Sequence, residues 1–434
     1  MMDGTDGDVS MQLRRKSKSL LAAAMGFMLA STALAGCGGS DGATEIHFTF
    51  SKREAIPFMK EVIADYHASQ DDVRVVLDTS GVDPVSASFV RGNPPDLMLA
   101  NYNMEVSRFV DRCTVSDLSD MDIADEINPE LQPLMDQYGV CEGQTSALPY
   151  SIMAAGVIYN KAIFDEYDLE VPQTWDELID VCDKLKAAGV DPFYATLASV
   201  DNWTIGQGWF DYSVGGSIDV LQFFDDLEAE GADVNADSNV SFQKDFADPV
   251  KKMRLLVDNY TNSDRLNRTY GDGNTAFANG KAAMILQGPW AFSEIAKTNA
   301  DLDLGTFPLP MTDDPADLKV RTNVDLAAMI PNEATHPEEA RDFLEYLYQP
   351  EVIAAYNESQ LGINPTIDGE QTDDPRIQGA LEYYNNAQFY QGPSVLVPKT
   401  IPVFNYNQSM LIDDDPTAPL VTMDEDWSRL AQRR

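Results

Sequence analysis

Short apolar runs alternate with helix-like stretches in the first part of the chain. Glu45 to Phe50, Val73 to Leu77 and Asp96 to Ala100 are short and apolar, and the second is rich in β-branched residues, as buried parallel strands are. Apolar residues recur at helical spacing between the first two runs. That stripe consists of Phe58, Val62, Ile63 and Tyr66. Strand–helix–strand alternation predicts βαβ units and therefore an α/β architecture.

Two helix starts further along have the pattern of a capping box. Thr174 to Glu177 precedes apolar residues at helical spacing, and Gly189 marks the end of that helix. Thr335 to Glu338 begins a second helix in the same way. The stretch from Asp201 to Ser217 is rich in aromatic residues and glycine, whereas Gln391 to Pro419 is rich in Pro and Asp. We expect the latter to form a tail that runs over the surface.

The N-terminus predicts export and lipid attachment. Basic residues from Arg14 to Lys18 precede an apolar run, Leu20 to Leu34, that is too short for a comfortable membrane span. The sequence Leu34-Ala35-Gly36-Cys37 then resembles the lipobox of bacterial lipoproteins. We expect a signal peptide at 1–36, a flexible tether at 37–44 and a lipid on Cys37, which would hold the protein on the extracellular face of the cell membrane. The alternative is an ordinary secretory signal with a chance cysteine.

Composition narrows the classes of partner. The 434 residues include 71 Asp and Glu against 30 Lys and Arg, a net charge of −41, but 44% apolar residues suffice for a large core. The charge opposes binding to nucleic acid and to anionic lipid surfaces, which need clustered Lys and Arg. We interpret the acidity as a source of solubility and mutual repulsion. Acid-rich sites for metals or cationic substrates are the alternative.

Motifs for catalysis and metal binding are missing from the sequence. There is no nucleophile elbow, P-loop or HExxH, and the three histidines are scattered, so we expect no cofactor and no metal. Cys113 and Cys141 lie in turn-like contexts and form the plausible disulfide pair in an oxidising compartment. Their spacing alone does not prove the pairing. Cys182 lies in an apolar-periodic helix, which indicates a buried thiol.

A set of weak motifs follows the order found in one family. The chain resembles the bacterial extracellular solute-binding proteins of carbohydrate ABC transporters, of the maltose-binding-protein type. The motifs are Leu148-Pro149-Tyr150, Tyr159-Asn160-Lys161, Thr174 to Leu178, Phe277 to Met284, Gly288-Pro289-Trp290, Gly305 to Pro310, His336 to Ala340, and Leu361 to Pro365. They cover most of residues 45–365, and the tail after 366 matches poorly.

This resemblance implies a fold and a division into domains. The expected fold is α/β, of the two-lobed periplasmic-binding-protein type (type II), with a hinge that the chain crosses three times. The N-terminal lobe would comprise 45–151 plus 312–358, and the C-terminal lobe 152–311 plus 359–434. The crossings are expected near 150–155, 307–311 and 359–364.

The resemblance also places a sugar in the cleft between the lobes. Sugar C–H faces stack on aromatic rings, and hydroxyls pair with short polar side chains. Polar residues at the carboxyl ends of strands are suitably placed. The candidate ligand-binding residues are Trp290, Trp203, Tyr150, Asn101, Asn103, Glu54, Asn323, Asp325, Trp209 and Phe404. Core packing is the alternative for the rings, and helix capping is the alternative for Glu54.

The leading functional hypothesis is a non-catalytic, monomeric receptor that delivers an oligosaccharide to ABC transporter permease subunits. The number of aromatic candidates suggests more than one subsite, as for a di- to tetrasaccharide. One alternative is a secreted glycoside hydrolase with paired carboxylates, which the abundance of acidic residues leaves open. The other is a binder of a non-sugar solute such as a polyamine.

Overall fold

The structure is a computed structural model that describes residues 42–136 and 139–433. The predicted signal peptide, Cys37 and most of the tether lie outside the described residues. Within the described part of the chain, no helix combines the length and the apolar character needed to cross a membrane.

Nine strands form the framework of the described residues. They are β1 (Thr44–Thr49), β2 (Val73–Asp78), β3 (Leu97–Ala100), β4 (Leu148–Asn160), β5 (Asp191–Phe193), β6 (Ala282–Gln287), β7 (Leu304–Phe307), β8 (Val320–Met329) and β9 (Phe389–Tyr390). The first three follow the predicted apolar runs to within a residue or two.

Helices cover the faces of the sheets. They are α1 (Ile56–Ser69), α2 (Val82–Val90), α3 (Met104–Asp111), α4 (Asp122–Glu126), α5 (Gln132–Asp136), α6 (Lys161–Glu166), α7 (Trp175–Ala187), α8 (Asp211–Gly215), α9 (Val220–Glu230), α10 (Phe242–Asp245), α11 (Ala247–Tyr260), α12 (Tyr270–Ala278), α13 (Trp290–Ala296), α14 (Pro337–Leu347), α15 (Pro350–Gln360), α16 (Gln378–Asn385), α17 (Pro393–Leu396), α18 (Val403–Ile412) and α19 (Ala418–Ala431). A π-helical turn, Thr204–Phe210, leads directly into α8.

The long strand β4 belongs to two sheets. Residues 148–155 pair antiparallel with β8, in a sheet of order β2-β1-β3-β8-β4 whose first three strands are parallel. Residues 156–160 pair instead with β6 and β7, and β5 lies beside β6. The register of β4 against β8 shifts between Pro149 and Ile152. The two sheets are therefore joined by a continuous strand.

Burial follows the predicted periodicity in α1. Val62, Ile63 and Tyr66 are buried, as expected, and Met59 takes a fourth buried position. Phe58 is only half-buried and packs edge-on against Tyr356, with ring centroids 5.7 Å apart. The stripe thus packs α1 against the sheet that contains β1, β2 and β3.

The two predicted capping boxes have different outcomes. At α7 the Thr174 hydroxyl accepts a hydrogen bond from the Glu177 amide at 3.2 Å, as expected, but the Glu177 carboxylate accepts the amide of Gln173 at 2.7 Å and not that of Thr174, so only half of the box forms. The box at Thr335 to Glu338 is wrong, because α14 begins after His336 without a side-chain cap. Asp96 instead accepts the backbone amides of Thr335 and His336, at 2.8 and 2.9 Å. Asp96, which precedes β3, therefore takes the Thr335 amide that the Glu338 side chain would accept in a capping box.

The prediction of a surface tail after Gln391 is also wrong. Residues 391–397 are buried, and α18 and α19 pack onto the core. Trp427 on α19 is 4% exposed and lies against Phe224 and Phe242. Asp424 accepts the Phe242 amide at 2.7 Å. The apolar side chains between the Pro and Asp residues therefore anchor this segment.

The structure joins Cys113 and Cys141 in a disulfide that links the chain just after α3 to the loop before β4. Cys182 is a free thiol, fully buried in α7, and burial raises its pKa above the ordinary value. It is therefore an unreactive part of the core.

Candidate functional site

Side chains from the first sheet, and from helices and turns beside the second, line a cavity of about 260 Å³, which we call the first cavity. The loop after β1, the end of β3 and strand β8 form one side. The π-helical turn and the starts of α12 and α13 form the other. The cavity thus lies at the carboxyl ends of β1 and β3, where open α/β sheets bind ligands.

Strand β8 supplies three polar residues to the wall of the first cavity. Arg321, Asn323 and Asp325 alternate along the strand, so their side chains project from the same face. All three are buried, with at most 8% of any one exposed. A buried polar row of this kind must be satisfied by partners, and each residue has one.

Asp325 joins the two loops that precede α1 and α3. Its carboxylate accepts a short charge-assisted hydrogen bond from Lys52, whose ammonium also lies 3.8 Å from the Glu54 carboxylate. The Asn101 amide donates to the Asp325 backbone oxygen at 3.1 Å. The polar side of the first cavity is therefore held in one arrangement before any ligand is present.

Arg321 connects the first cavity to a buried carboxylate outside it. It donates to Asp211 at 3.1 and 3.2 Å and to the Asn323 side-chain oxygen at 3.0 Å. Asp211, which is fully buried, also accepts the backbone amide and hydroxyl of Ser394 at 2.8 and 2.9 Å. Burial raises the pKa of Asp211, and the charge of Arg321 opposes that rise.

A glycine makes this arrangement possible. A Cβ atom at Gly392 would lie 2.0 Å from the Asp211 carboxylate and 2.8 Å from Arg321 Nε. The chain after β9 can therefore approach the ion pair only without a side chain at this position.

Three aromatic rings line the first cavity on the side of the second sheet: Trp290, Trp203 and Tyr270. The Trp290 indole N–H donates to Gln287 at 3.0 Å, and its ring covers Gly288, where a Cβ would come within 2.2 Å of it. Trp203 packs against Tyr270 with ring centroids 5.1 Å apart. All three rings remain partly exposed. Together they give this side of the first cavity an aromatic lining.

The structure brings most of the predicted site residues together. Six of them line the first cavity: Trp290, Trp203, Asn101, Glu54, Asn323 and Asp325. Asn103 and Phe404 line an adjoining cavity of about 410 Å³, which we call the second cavity. Their roles in binding stay predictions.

Two predicted site residues require correction, because neither lines a cavity. Tyr150 is fully buried between Tyr348 and Tyr356, with ring centroids 5.3 and 5.0 Å away. Trp209 is 2% exposed and packs edge-on against Phe193. Both follow the core-packing alternative, since their positions face the inside of the fold and not the space between the sheets.

Several lining residues were missed by the sequence analysis. Lys52 and Arg53 lie in the loop that contains Glu54, and Arg321 stands two residues before Asn323. Their spacing from predicted residues could have identified them. Gln207 and Tyr270 lie in segments with no strand-end signal, and only the packing of the second sheet brings them to the first cavity.

Within the described residues, no three His, Cys, Asp or Glu side chains are arranged to hold a metal ion. A cavity lined by three aromatic rings on one side and by ordered polar groups on the other is typical of a protein that binds a small solute. Residues 51–354 match the bacterial extracellular solute-binding protein family. The chain belongs to this family, and it is a binding protein and not an enzyme.

Relatives along most of the chain are also binding proteins. The multiple sugar-binding protein of Streptococcus mutans is 25% identical over 342 residues, which cover 76% of this chain and 78% of that one. The melibiose/raffinose/stachyose-binding protein MelE of Bacillus subtilis is 21% identical and covers 81% of this chain and 78% of its own.

Solved structures share the fold. The apo form of RafE from Streptococcus pneumoniae matches 91% of this chain and 99% of its own, with a TM-score of 0.71 and 21% identity. A chitin oligosaccharide binding protein matches 90% of this chain and 100% of its own, with a TM-score of 0.74 and 16% identity. The fold is thus the expected α/β, two-lobed type II fold.

Proposed function

We propose that this protein is the sugar-binding component of a carbohydrate ABC transporter, which captures an oligosaccharide in the first cavity and delivers it to the permease as a monomer. The observation that carries the proposal is the convergence of the Trp290, Trp203 and Tyr270 rings with the polar row of β8. The sugars named for the relatives support the same ligand class.

The chemistry of the first cavity suits a sugar on both of its surfaces. The C–H face of a pyranose ring stacks on an indole face, for which Trp290 is oriented by its bond to Gln287. Hydroxyl groups can donate to the Asp325 carboxylate and accept from the Asn323 amide. Bonds to an ionised partner are the stronger ones, and exclusion of water strengthens them further.

The charges in the first cavity favour an uncharged ligand. Lys52 is paired with Asp325 and Arg321 with Asp211, so these charges cancel before a ligand arrives. Arg53 adds a further cation to the lining. The lining carries these three cationic side chains against two carboxylates, Glu54 and Asp325, so it offers no net negative charge to attract a polyamine. Family membership argues against the glycoside hydrolase.

The lobes are proposed to be 45–151 plus 312–358 and 152–311 plus 359–434. Support comes from β4, which leaves the first sheet after residue 155 and enters the second at residue 156. A bend there would move the two walls of the first cavity relative to each other. Closure around a ligand of this kind is a known type of domain motion.

A ligand panel tests the function. Purified protein is heated with raffinose, melibiose, stachyose, maltotriose, diacetylchitobiose or, as a charged control, spermidine. At least one sugar should raise the melting temperature, because a ligand at 100 times its Kd adds about 2.7 kcal/mol to the stability of the native state. Calorimetry then gives its Kd. A shift with spermidine alone, or with nothing, would overturn the proposal.

We also propose that a lipid on Cys37 holds the protein on the extracellular face of the membrane, after removal of residues 1–36. Support comes from the lipobox-like sequence and the glycine-rich residues that follow it. Cys37→Ser should release the protein into the medium, measured by immunoblot of membrane and medium fractions. Continued membrane retention of this variant would contradict the anchor, and Cys182→Ser, which changes a buried thiol, is the control.

A further inference from the structure

The second cavity opens directly beside the first. Gln207 and Val395 line both, so the two cavities adjoin at these residues. Its other walls come from the segment after β9, the start of α18 and the N-terminal end of α3. The two cavities are therefore neighbours, and the segment after β9 contributes to both linings.

The walls of the second cavity differ in chemistry from those of the first. Apolar side chains dominate them: Val395, Val397, Ile401, Val403 and Phe404. The Phe404 ring lies over Gly206, where a Cβ atom would come within 2.3 Å of it, which fixes the ring at the edge of the π-helical turn. Contact with these walls favours an apolar group, since each buried CH₂ contributes about 0.8 kcal/mol.

The charged groups of the second cavity already bind each other. Lys399 donates to Glu105 at 2.6 Å and to Asp83 at 3.2 Å, which ties the C-terminal segment to α2 and α3. The linings differ in the number of charged side chains, which is two in the second cavity and five in the first: Lys52, Arg53, Glu54, Arg321 and Asp325.

The neutral polar groups at the α3 side are also occupied. The Asn103 side chain accepts the amides of Glu105 and Val106 as the N-cap of α3, and it donates to Asn101 at 3.1 Å. Ser394 is held by Asp211. Three amide side chains of the lining, those of Asn202, Gln207 and Asn405, remain beside these occupied groups, and most of the remaining lining is apolar.

The volumes of the two cavities also favour a ligand that occupies both. The first cavity, at about 260 Å³, is smaller than the range of about 300–1,000 Å³ that is usual for small-molecule sites. The two cavities combined fall within that range. A ligand that fills this space must extend past Gln207 and Val395 into the second cavity.

We infer that the two cavities form one bipartite site, in which the first holds a sugar and the second takes an apolar group attached to that sugar, such as an aryl aglycone. This inference rests on the proposed function and specifies its ligand class as a glycoside with one polar and one apolar end. Gln207, at the junction, contacts both ends.

Matched glycosides test the inference in the unmodified protein. For each sugar that binds in the panel, the methyl glycoside and the 4-nitrophenyl glycoside are titrated by calorimetry. The 4-nitrophenyl compound should bind at least tenfold more tightly, because its ring is buried against the second cavity. Equal Kd values for the two would overturn the inference and leave the proposed function intact. Failure of every sugar to bind would overturn both.

The variant Phe404→Ala tests whether the second cavity is the source of the tighter binding of the 4-nitrophenyl glycoside. This variant should reduce the 4-nitrophenyl advantage, which is the ratio of the methyl glycoside Kd to the 4-nitrophenyl glycoside Kd, to threefold or less, and circular dichroism checks that the protein is folded. Phe89→Ala is the matched control, because this half-buried ring stacks on Phe109 and lines neither cavity. A full advantage that persists in Phe404→Ala would place the aryl group elsewhere and overturn the assignment.

Discussion

Trp290 illustrates how single residues prepare a binding surface. Its N–H group is satisfied by Gln287, and the absence of a side chain at Gly288 makes room for the ring. The indole therefore stays in place without a ligand, so little side-chain entropy is lost on binding. Preorganised aromatic rings of this kind carry a large share of the binding energy in protein interfaces and sites.

Trp290→Ala should raise the Kd of the sugar identified in the panel at least tenfold, a loss of about 1.4 kcal/mol or more, because the stacking face is removed. Isothermal titration calorimetry measures the change. Trp175→Ala is the matched control: Trp175 begins α7 and packs under Lys252, 5.1 Å from its ring centroid, outside both cavities. That variant should keep the wild-type Kd. If Trp290→Ala also keeps it, Trp290 is not in the site.

At the scale of elements, one buried ion pair fastens three segments. Asp211 begins α8, Arg321 lies on β8, and Ser394 lies in α17. The hydrogen bonds among them connect the second sheet, the first sheet and the C-terminal segment, close to both cavities. Removal of one partner leaves the other charge buried and unpaired.

Asp211→Ala should lower the free energy of unfolding by about 3–5 kcal/mol, the usual cost of an unpaired buried charge. Urea denaturation followed by circular dichroism measures it. The double variant Asp211→Leu with Arg321→Met should lose less, because neither charge remains. Equal losses in the two variants would contradict the role assigned to the pair.

The disulfide acts on a second group of elements, between α3 and the loop before β4. Replacement of both Cys113 and Cys141 by Ala should lower the free energy of unfolding by about 3–4 kcal/mol, as expected for a closed loop of this length. The sugar Kd should stay unchanged, since neither cysteine lines the first or second cavity. If the double variant instead changed the sugar Kd and kept the wild-type free energy of unfolding, the disulfide would serve binding and not stability. Thermal unfolding with and without reductant provides an independent measurement.

Over the whole molecule, acidity acts on stability in two opposite ways. At a net charge of −41 the carboxylates repel one another at neutral pH, so their partial protonation reduces this repulsion and stabilises the folded state. Several carboxylates are stabilised in the ionised form instead. Backbone amides of Ser119 and Thr145 lower the pKa of Asp117, and Arg376 lowers that of Asp374. Their contribution to stability is present above the unfolded pKa and is lost as the pH falls through the lowered folded pKa.

The melting temperature should therefore rise as the pH is lowered from 7 to about 5 and fall below about 4, the ordinary pKa of Asp. Scanning calorimetry at constant ionic strength measures the profile. Added salt should flatten the rise, because it screens the like charges. A melting temperature that continues to increase down to pH 3 would contradict the contribution of the low-pKa carboxylates.

Local patterns were sufficient for the elements whose causes are local. The strands β1 to β3, the apolar stripe of α1 and the Thr174 cap of α7 depend on residues within a few positions of one another. The Thr335 box was wrong, and Asp96, 239 residues away, accepts the Thr335 amide that Glu338 would accept in such a box. Strand ends and family motifs were also sufficient to predict six of the ten site residues, which line the first cavity.

By itself, the sequence determined the α/β class, the family, the candidate disulfide pair and the polar loops after strands. Periodicity and motif order are contained in neighbouring residues. Only the tertiary structure decided that Tyr150 and Trp209 are buried, that the C-terminal segment packs inward, and that Asp211 holds Arg321 from 110 residues away. The physical reason is that burial and pairing depend on contacts between segments that are distant in sequence. Which segments come into contact depends in turn on how β4 runs from one sheet into the other.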